Sequence, residues 1–194
     1  MWHGVCLGGD FFTALVAIDK AIVDRVAREG CPKCDGPLHR SDYDRKPRGG
    51  LVGRAGEAFN RRYSLCCGWC RGRALPPSVR FFGRRVYLEV VVLLGCLWAL
   101  CGDVEAAGVP LRTLQRWLGW WTAVFPSLPT WTELRARFRP PPPDEASLPQ
   151  SLLERLAHEL GPLDVENVLV RAARLLGPVT TQSLPQASRF LRAD

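Results

Sequence analysis

Two short cysteine pairs constrain this chain more than anything else in it: Cys31-Pro-Lys-Cys34 and Cys67-Gly-Trp-Cys70. A two-residue gap lets both thiolates of a pair reach one ion from a single tight turn. Two such turns supply four sulfurs, the tetrahedral set that a structural zinc takes. The intervening chain must fold back to bring the turns together, which is the layout of a zinc ribbon. Gly36, two residues past Cys34, is expected to let the backbone turn tightly beside the metal. Cys66 precedes Cys67 directly, so Cys66 with Cys70 is an alternative second pair. The matching two-residue gap favours Cys67, and the expected zinc ligands are Cys31, Cys34, Cys67 and Cys70. Disulfides fit less well: Phe11–Ile18 is too short for a signal sequence and follows Asp10 rather than a basic region, and paired Cys-x-x-Cys in an intracellular protein reads first as metal. Cys6, Cys96 and Cys101 lie in apolar surroundings and read as small buried hydrophobes.

Charge is the second constraint. The chain of 194 residues carries a formal charge of +7. Between Arg40 and Arg85 twelve Lys or Arg face only Asp42, Asp44 and Glu57, leaving that segment at +9 and the rest at −2. Basicity concentrated on the ribbon and its exit is what a phosphate-facing surface requires. The scarcity of Lys, three against 23 Arg, is the mark of a GC-rich genome, so the segregation of charge is the stronger evidence. The most apolar stretch, Val90–Leu100, falls far short of the ~20 residues of a membrane span.

Hydrophobic periodicity predicts a helix over Phe11–Arg28, with Phe12, Leu15, Ile18, Ile22, Val23 and Val26 inward and Asp19, Lys20, Asp24 and Arg28 between them. Gly30 ends it. Leu38–Tyr43 and Arg62–Leu65 read as ribbon strands, separated by a long basic loop around Lys46–Gly50. Ser78–Phe82 reads as a last extended piece. A helix follows over Arg84–Leu100, then short helices at Asp103–Ala107, Pro110–Trp121 and Thr130–Phe138. The run Arg139–Pro143 reads as a stiff polyproline linker, and Ser147–Leu160 and Val165–Leu176 as amphipathic helices. Segments of 1–30, 31–83, 84–139, 140–146 and 147–194 result. The fold class is α+β, mainly α: a small zinc ribbon, a helix-turn-helix unit and C-terminal helices.

The helix-turn-helix rests on Asp103–Trp117. Gly108 suits a tight turn, Val109 anchors it, and Pro110 fits the first turn of the next helix. Leu111, Leu114, Trp117 and Leu118 form the inward stripe. Arg112, Thr113, Gln115 and Arg116 are left outward, where Arg can bond guanine and Gln adenine. The expected DNA contacts are Arg80, Arg84, Arg85, Arg112, Thr113, Gln115 and Arg116. Trp117, Trp120, Trp121 and Trp131 read as core. A solvated helical hairpin is the alternative.

Taken together, the Cys-Pro-x-Cys ribbon closed by Cys-x-x-Cys-Arg, the apolar helix and the Gly108-Val-Pro-Leu-Arg-Thr-Leu-Gln-Arg-Trp117 turn resemble the N-terminal region of bacterial insertion-sequence transposases. Pro76–Val86 is similar to small transposon-associated zinc-ribbon proteins. The likeness covers about Cys31 to Trp121. It implies recognition of transposon ends. The family's separate nuclease domain finds no counterpart here, since too little chain follows Trp121. A non-enzymatic, cytoplasmic, nucleoid-associated protein that binds duplex DNA is therefore expected, with a transposase or nuclease in trans as candidate partner and no membrane association.

Two other readings stay open: a zinc-ribbon adaptor docking a protein through Ser147–Leu176, and an RNA-binding zinc protein. A zinc deaminase is excluded because no His-x-Glu precedes Cys31, and no phosphate-binding Gly-x4-Gly-Lys loop exists. His3, His39 and His158 are too scattered for a catalytic triad.

Overall fold

The computed structural model describes residues 7–45, 57–81, 92–93, 109–142, 147–160 and 165–177. The basic loop around Lys46–Gly50, Arg84, Arg85, the Asp103–Ala107 helix, Gly108 and the residues after 177 lie outside the described residues. So does most of the Arg84–Leu100 helix, of which Val92 and Leu93 are helical and buried.

The chain is mainly helical with a small sheet, in keeping with the expected α+β class. Helix α1 runs Gly9–Glu29, with Asp10 in its first turn and Arg28 in its last, each complementing the helix dipole. Gly30, at φ 84°, stops it in a conformation that favours glycine. At its start the Gly8 amide donates to Glu166 Oε1 at 2.8 Å, so a side chain 158 residues away satisfies an orphan helix donor.

Among the described residues five short strands follow: β1 Leu38–Arg40, β2 Tyr43–Asp44, β3 Arg61–Arg62, β4 Leu65–Cys67 and β5 Arg73–Ala74. They form an antiparallel three-stranded sheet ordered β1-β4-β5 and a β2-β3 pair. Ser78–Phe82 is expected to be extended; Phe81 is a bridge residue, but Val79 and Arg80 before it form a bend, held by hydrogen bonds from the Ser78 hydroxyl and the Val79 amide to Asp19.

Further along, helix α2 spans Leu111–Gly119 and continues through a π-type turn, Trp120–Val124, and a 3-10 turn, Phe125–Ser127. Helix α3 spans Pro129–Arg135, α4 Gln150–Leu160 and α5 Val165–Leu176. The expected inward stripe on α2 is rotated. Thr113, Leu114 and Trp117 are buried, Leu118 is half-buried, and Leu111 is 54% exposed. The physical reason is the tryptophans. Trp117, Trp120 and Trp121 must all go inward, and each indole buries roughly 150–250 Å², which outweighs one leucine. Trp120, Trp121 and Phe125 interlock, with Trp121 and Phe125 edge-to-face at 4.8 Å and Trp131 against Phe125 at 5.2 Å.

Two cores result. The larger gathers the first half of α1, the tryptophan cluster, α4 and α5. The smaller consists of Val23, Cys31, Leu38, Leu65 and Cys67, with Val26 and Ala27 of α1 packed on it. Helix α1 is thus the beam that carries both. The run after Arg139 does not stand off as a spacer: Pro142 is buried and its carbonyl accepts from Arg135 Nε at 2.6 Å, while the Arg139 carbonyl accepts from Arg155. The apolar faces of α4 and α5, expected as a docking surface in the adaptor reading, are spent on this shared core.

Candidate metal centre

The sequence fixes the centre through two copies of one local structure. Each is Cys-x-x-Cys-x-Gly: Cys31 to Gly36 and Cys67 to Gly72. In both, the first cysteine's amide donates to the glycine carbonyl, at 3.0 and 2.9 Å. In both, the residue after the second cysteine is left-handed, Asp35 at φ 56° and Arg71 at φ 58°. The Gly68 amide donates to the Pro37 carbonyl at 2.9 Å, and β1 pairs with β4 in the register Leu38↔Cys67, so the two turns stand face to face. The pairing of the two hexapeptides is legible in the sequence through the second glycine, a signal that the cysteine spacing alone does not use.

Cys31, Cys34, Cys67 and Cys70 converge, with all four sulfurs within 4.8 Å of one another. Cys34 and Cys67 approach to 3.5 Å and Cys31 and Cys70 to 3.7 Å. A tetrahedron with Zn–S bonds of about 2.3 Å has edges of about 3.8 Å, so the four positions fit zinc. Four protein sulfurs leave no open coordination position, which suits a structural clamp rather than a water-activating centre.

The choice between Cys66 and Cys67 is resolved by strand alternation. Along β4, Leu65 and Cys67 point into the small core, while Cys66 points to the other face beside His39 and Arg73, its cross-strand neighbours. Its sulfur lies near the carbonyls of Cys67 and Arg71, outside the cluster.

The four thiols are not equivalent. Burial raises Cys67, but the backbone N–H groups of Cys70 and Trp69 and the thiols of Cys34 and Cys70 outweigh it and draw it down to about 6. The Trp69 amide reaches its sulfur at 3.4 Å. The Gly36 amide lowers Cys34, yet Cys67, burial, Cys70 and Cys31 together push it up to about 11. A metal ion takes the thiolate forms, so protons must leave this hydrogen-bonded cluster as an ion enters.

Gly36 serves a different purpose from the one expected. The left-handed turn falls on Asp35, and a Cβ at Gly36 would stand 2.9 Å from Trp69 Cδ2 and Cε3 and 3.0 Å from Cys67 Sγ. The glycine clears space for an indole and a ligand sulfur. Gly36→Ala is expected to weaken metal retention by about 1–3 kcal/mol through overpacking, measured by competition with a chromogenic chelator. An unchanged affinity would mean that Trp69 swings away without consequence for Cys67.

Of the expected DNA contacts, Arg112, Gln115 and Arg116 are exposed on α2. Thr113 is buried against the core and drops out as a contact. Arg80 also drops out. It is fully buried, with Nε 2.8 Å from Asp19 Oδ2, and it donates to the carbonyls of Phe59 at 2.9 Å and Arg61 at 2.8 Å. Its guanidinium packs over Tyr63 and Phe81. Arg62 is buried too, donating to the Pro76 carbonyl at 2.5 Å, and burial lowers its pKa despite the attraction of Asp19. Asp19, read as a position between the apolar ones of α1, is the carboxylate that pairs with Arg80 and attracts Arg62. Part of the positive charge of the Arg40–Arg85 segment is thus internal. Lys33, Arg61, Arg71 and Arg73 are exposed.

No family model matches the chain, and no curated protein or solved structure is similar to it. What fold and site define is a mainly helical α+β protein with a four-cysteine centre positioned to hold a metal ion. Among the described residues no helix is long and apolar enough to cross a membrane.

Proposed function

We propose that this chain is a zinc-stabilised, non-enzymatic protein that binds duplex DNA, presenting the exposed cations of a zinc ribbon together with the polar face of α2. The observation that carries this reading is the four-cysteine centre with Lys33, Arg71 and Arg73 exposed around it. The α2 face adds Arg112, Gln115 and Arg116, types that bond guanine and adenine edges. Leu111, exposed at the start of the same helix, is of the type that contacts a thymine methyl. A role in recognising the ends of a mobile element, with the nuclease supplied in trans, follows from the resemblance to insertion-sequence transposases and belongs to this proposal. The adaptor reading is weakened because α4 and α5 bury their apolar faces within the chain.

The test is binding of the zinc-loaded chain to labelled duplex across a salt series. Each phosphate neutralised steepens the log–log slope by about 0.9, and several such contacts are expected. In duplexes recovered by site selection, the double variant Arg112→Ala with Gln115→Ala should lose most of the preference over random sequence. Absence of binding at low salt sinks the proposal. Single-stranded RNA outcompeting duplex DNA would replace it with the RNA-binding reading.

A further inference from the structure

Trp69 stands apart from the other described tryptophans. They are buried in the large core, whereas Trp69 sits at the tip of the second cysteine turn, 69% exposed. It is also held in place. Its amide is tied to the Cys67 sulfur at 3.4 Å, and its six-membered ring lies where a Cβ at Gly36 would be. Gly68 makes a second such space, since a Cβ there would stand 3.0 Å from His39 Nε2. Neither glycine has the left-handed φ that demands glycine, so what they provide is room for side chains. Lys33 reaches across toward Gly72, and Arg71 is exposed beside it. The result is a pre-set indole with cations along the same turns and an imidazole against the neighbouring glycine, Gly68; Asp35 is the exposed acid among them.

From this geometry we infer that Trp69 is a stacking platform for an unpaired nucleobase, with Lys33 and Arg71 taking the adjoining phosphates. A flat aromatic face accepts any base, and flanking cations suit the backbone that carries it. Within a duplex every base is already stacked, so the platform selects DNA that offers a frayed, flipped or overhanging nucleotide. The inference rests on the nucleic-acid reading above and narrows it to duplex next to a single strand.

The experiment compares three probes with the zinc-loaded full chain: a blunt duplex, the same duplex with a short unpaired extension, and one whose extension is abasic. The abasic arm supplies phosphates without bases. The base-bearing extension is expected to tighten binding about 5- to 150-fold per stacked base, and the abasic one to give little of that gain. Trp69→Ala should erase the gain while retaining one zinc per chain and the affinity for blunt duplex, and Trp69→Phe should keep most of it. Equal gains from both extensions, or a gain that survives in Trp69→Ala, overturn the inference. If blunt duplex binds and no extension helps, the platform is wrong and the duplex reading stands. If only the extended probe binds, the duplex reading fails and the platform stands.

Discussion

Replacing Cys67 by Ser is expected to abolish stoichiometric zinc and unfold the ribbon, while Cys66→Ser retains one zinc per chain. The two residues are adjacent and chemically identical, so only strand geometry separates them. Cys67 shares the inward face of β4 with Leu65 and lies 3.5 Å from the Cys34 sulfur, whereas Cys66 faces away. Structural zinc contributes on the order of 10–16 kcal/mol of apparent binding free energy in small fingers. The small core is slight, with two of its five buried members being cysteines of the four-cysteine cluster. It has little else to hold it, and loss of the metal should be total for strands β1, β4 and β5. The tryptophan cluster with α4 and α5 belongs to the other core and should persist. Metal content by atomic emission, with hydrogen exchange to localise the unfolding, checks both halves. One zinc per chain in the Cys67→Ser variant would mean that Cys66 can rotate into the cluster, and would refute the assignment.

The second large effect is expected at Asp19. Its carboxylate sits between the Ser78 hydroxyl at 2.5 Å, the Val79 amide at 2.7 Å and Arg80 Nε at 2.8 Å, with both members of the ion pair essentially excluded from water. Asp19→Ala leaves Arg80 buried without a carboxylate and Arg62 as a second buried cation nearby. Breaking a buried pair from one side costs about 3–5 kcal/mol. Removing both charges, as Asp19→Leu with Arg80→Met, should cost far less or nothing, because the desolvation of the ions disappears with them. Urea unfolding of the two variants measures the difference. An Asp19→Ala chain within about 0.5 kcal/mol of the parent, the range of an ordinary surface substitution, would show that the clamp is not needed to hold α1 to the ribbon.

Local signals were readable in the sequence and long-range ones were not. The cysteine spacing gives the four cysteines that cluster, and hydrophobic period gives α1, α5 and the inward tryptophans, because each depends on neighbours a few residues away. Asp19 and Arg80 are 61 residues apart, and each looks like an ordinary surface charge until the fold brings them together. The rotation of α2 was hidden for a related reason: which of Leu111 and Thr113 goes inward depends on where Trp120 and Trp121 must pack, beyond the end of the helix itself. The space that Gly36 leaves for Trp69 belongs to the same class, since the two residues meet only after β1 pairs with β4.

The bond from the Gly8 amide to Glu166 has a consequence for how the chain comes off the ribosome. Helix α1 is made early, yet its first half packs in a core completed by α5, and its leading turn is capped from there. At roughly 5–20 residues per second, the nascent helix waits on the order of ten to thirty seconds for the α5 side of that core, although Phe59, edge-on to Phe12, emerges well before it. The small sheet and the four-cysteine cluster have no such delay: they lie within 44 residues, Cys31 to Ala74, and can come together against the second half of α1 as soon as Arg80 emerges. Synthesis would then pass through a stage in which a finished metal knot hangs from a half-buried helix, and that greasy leading half is where a holding chaperone would act.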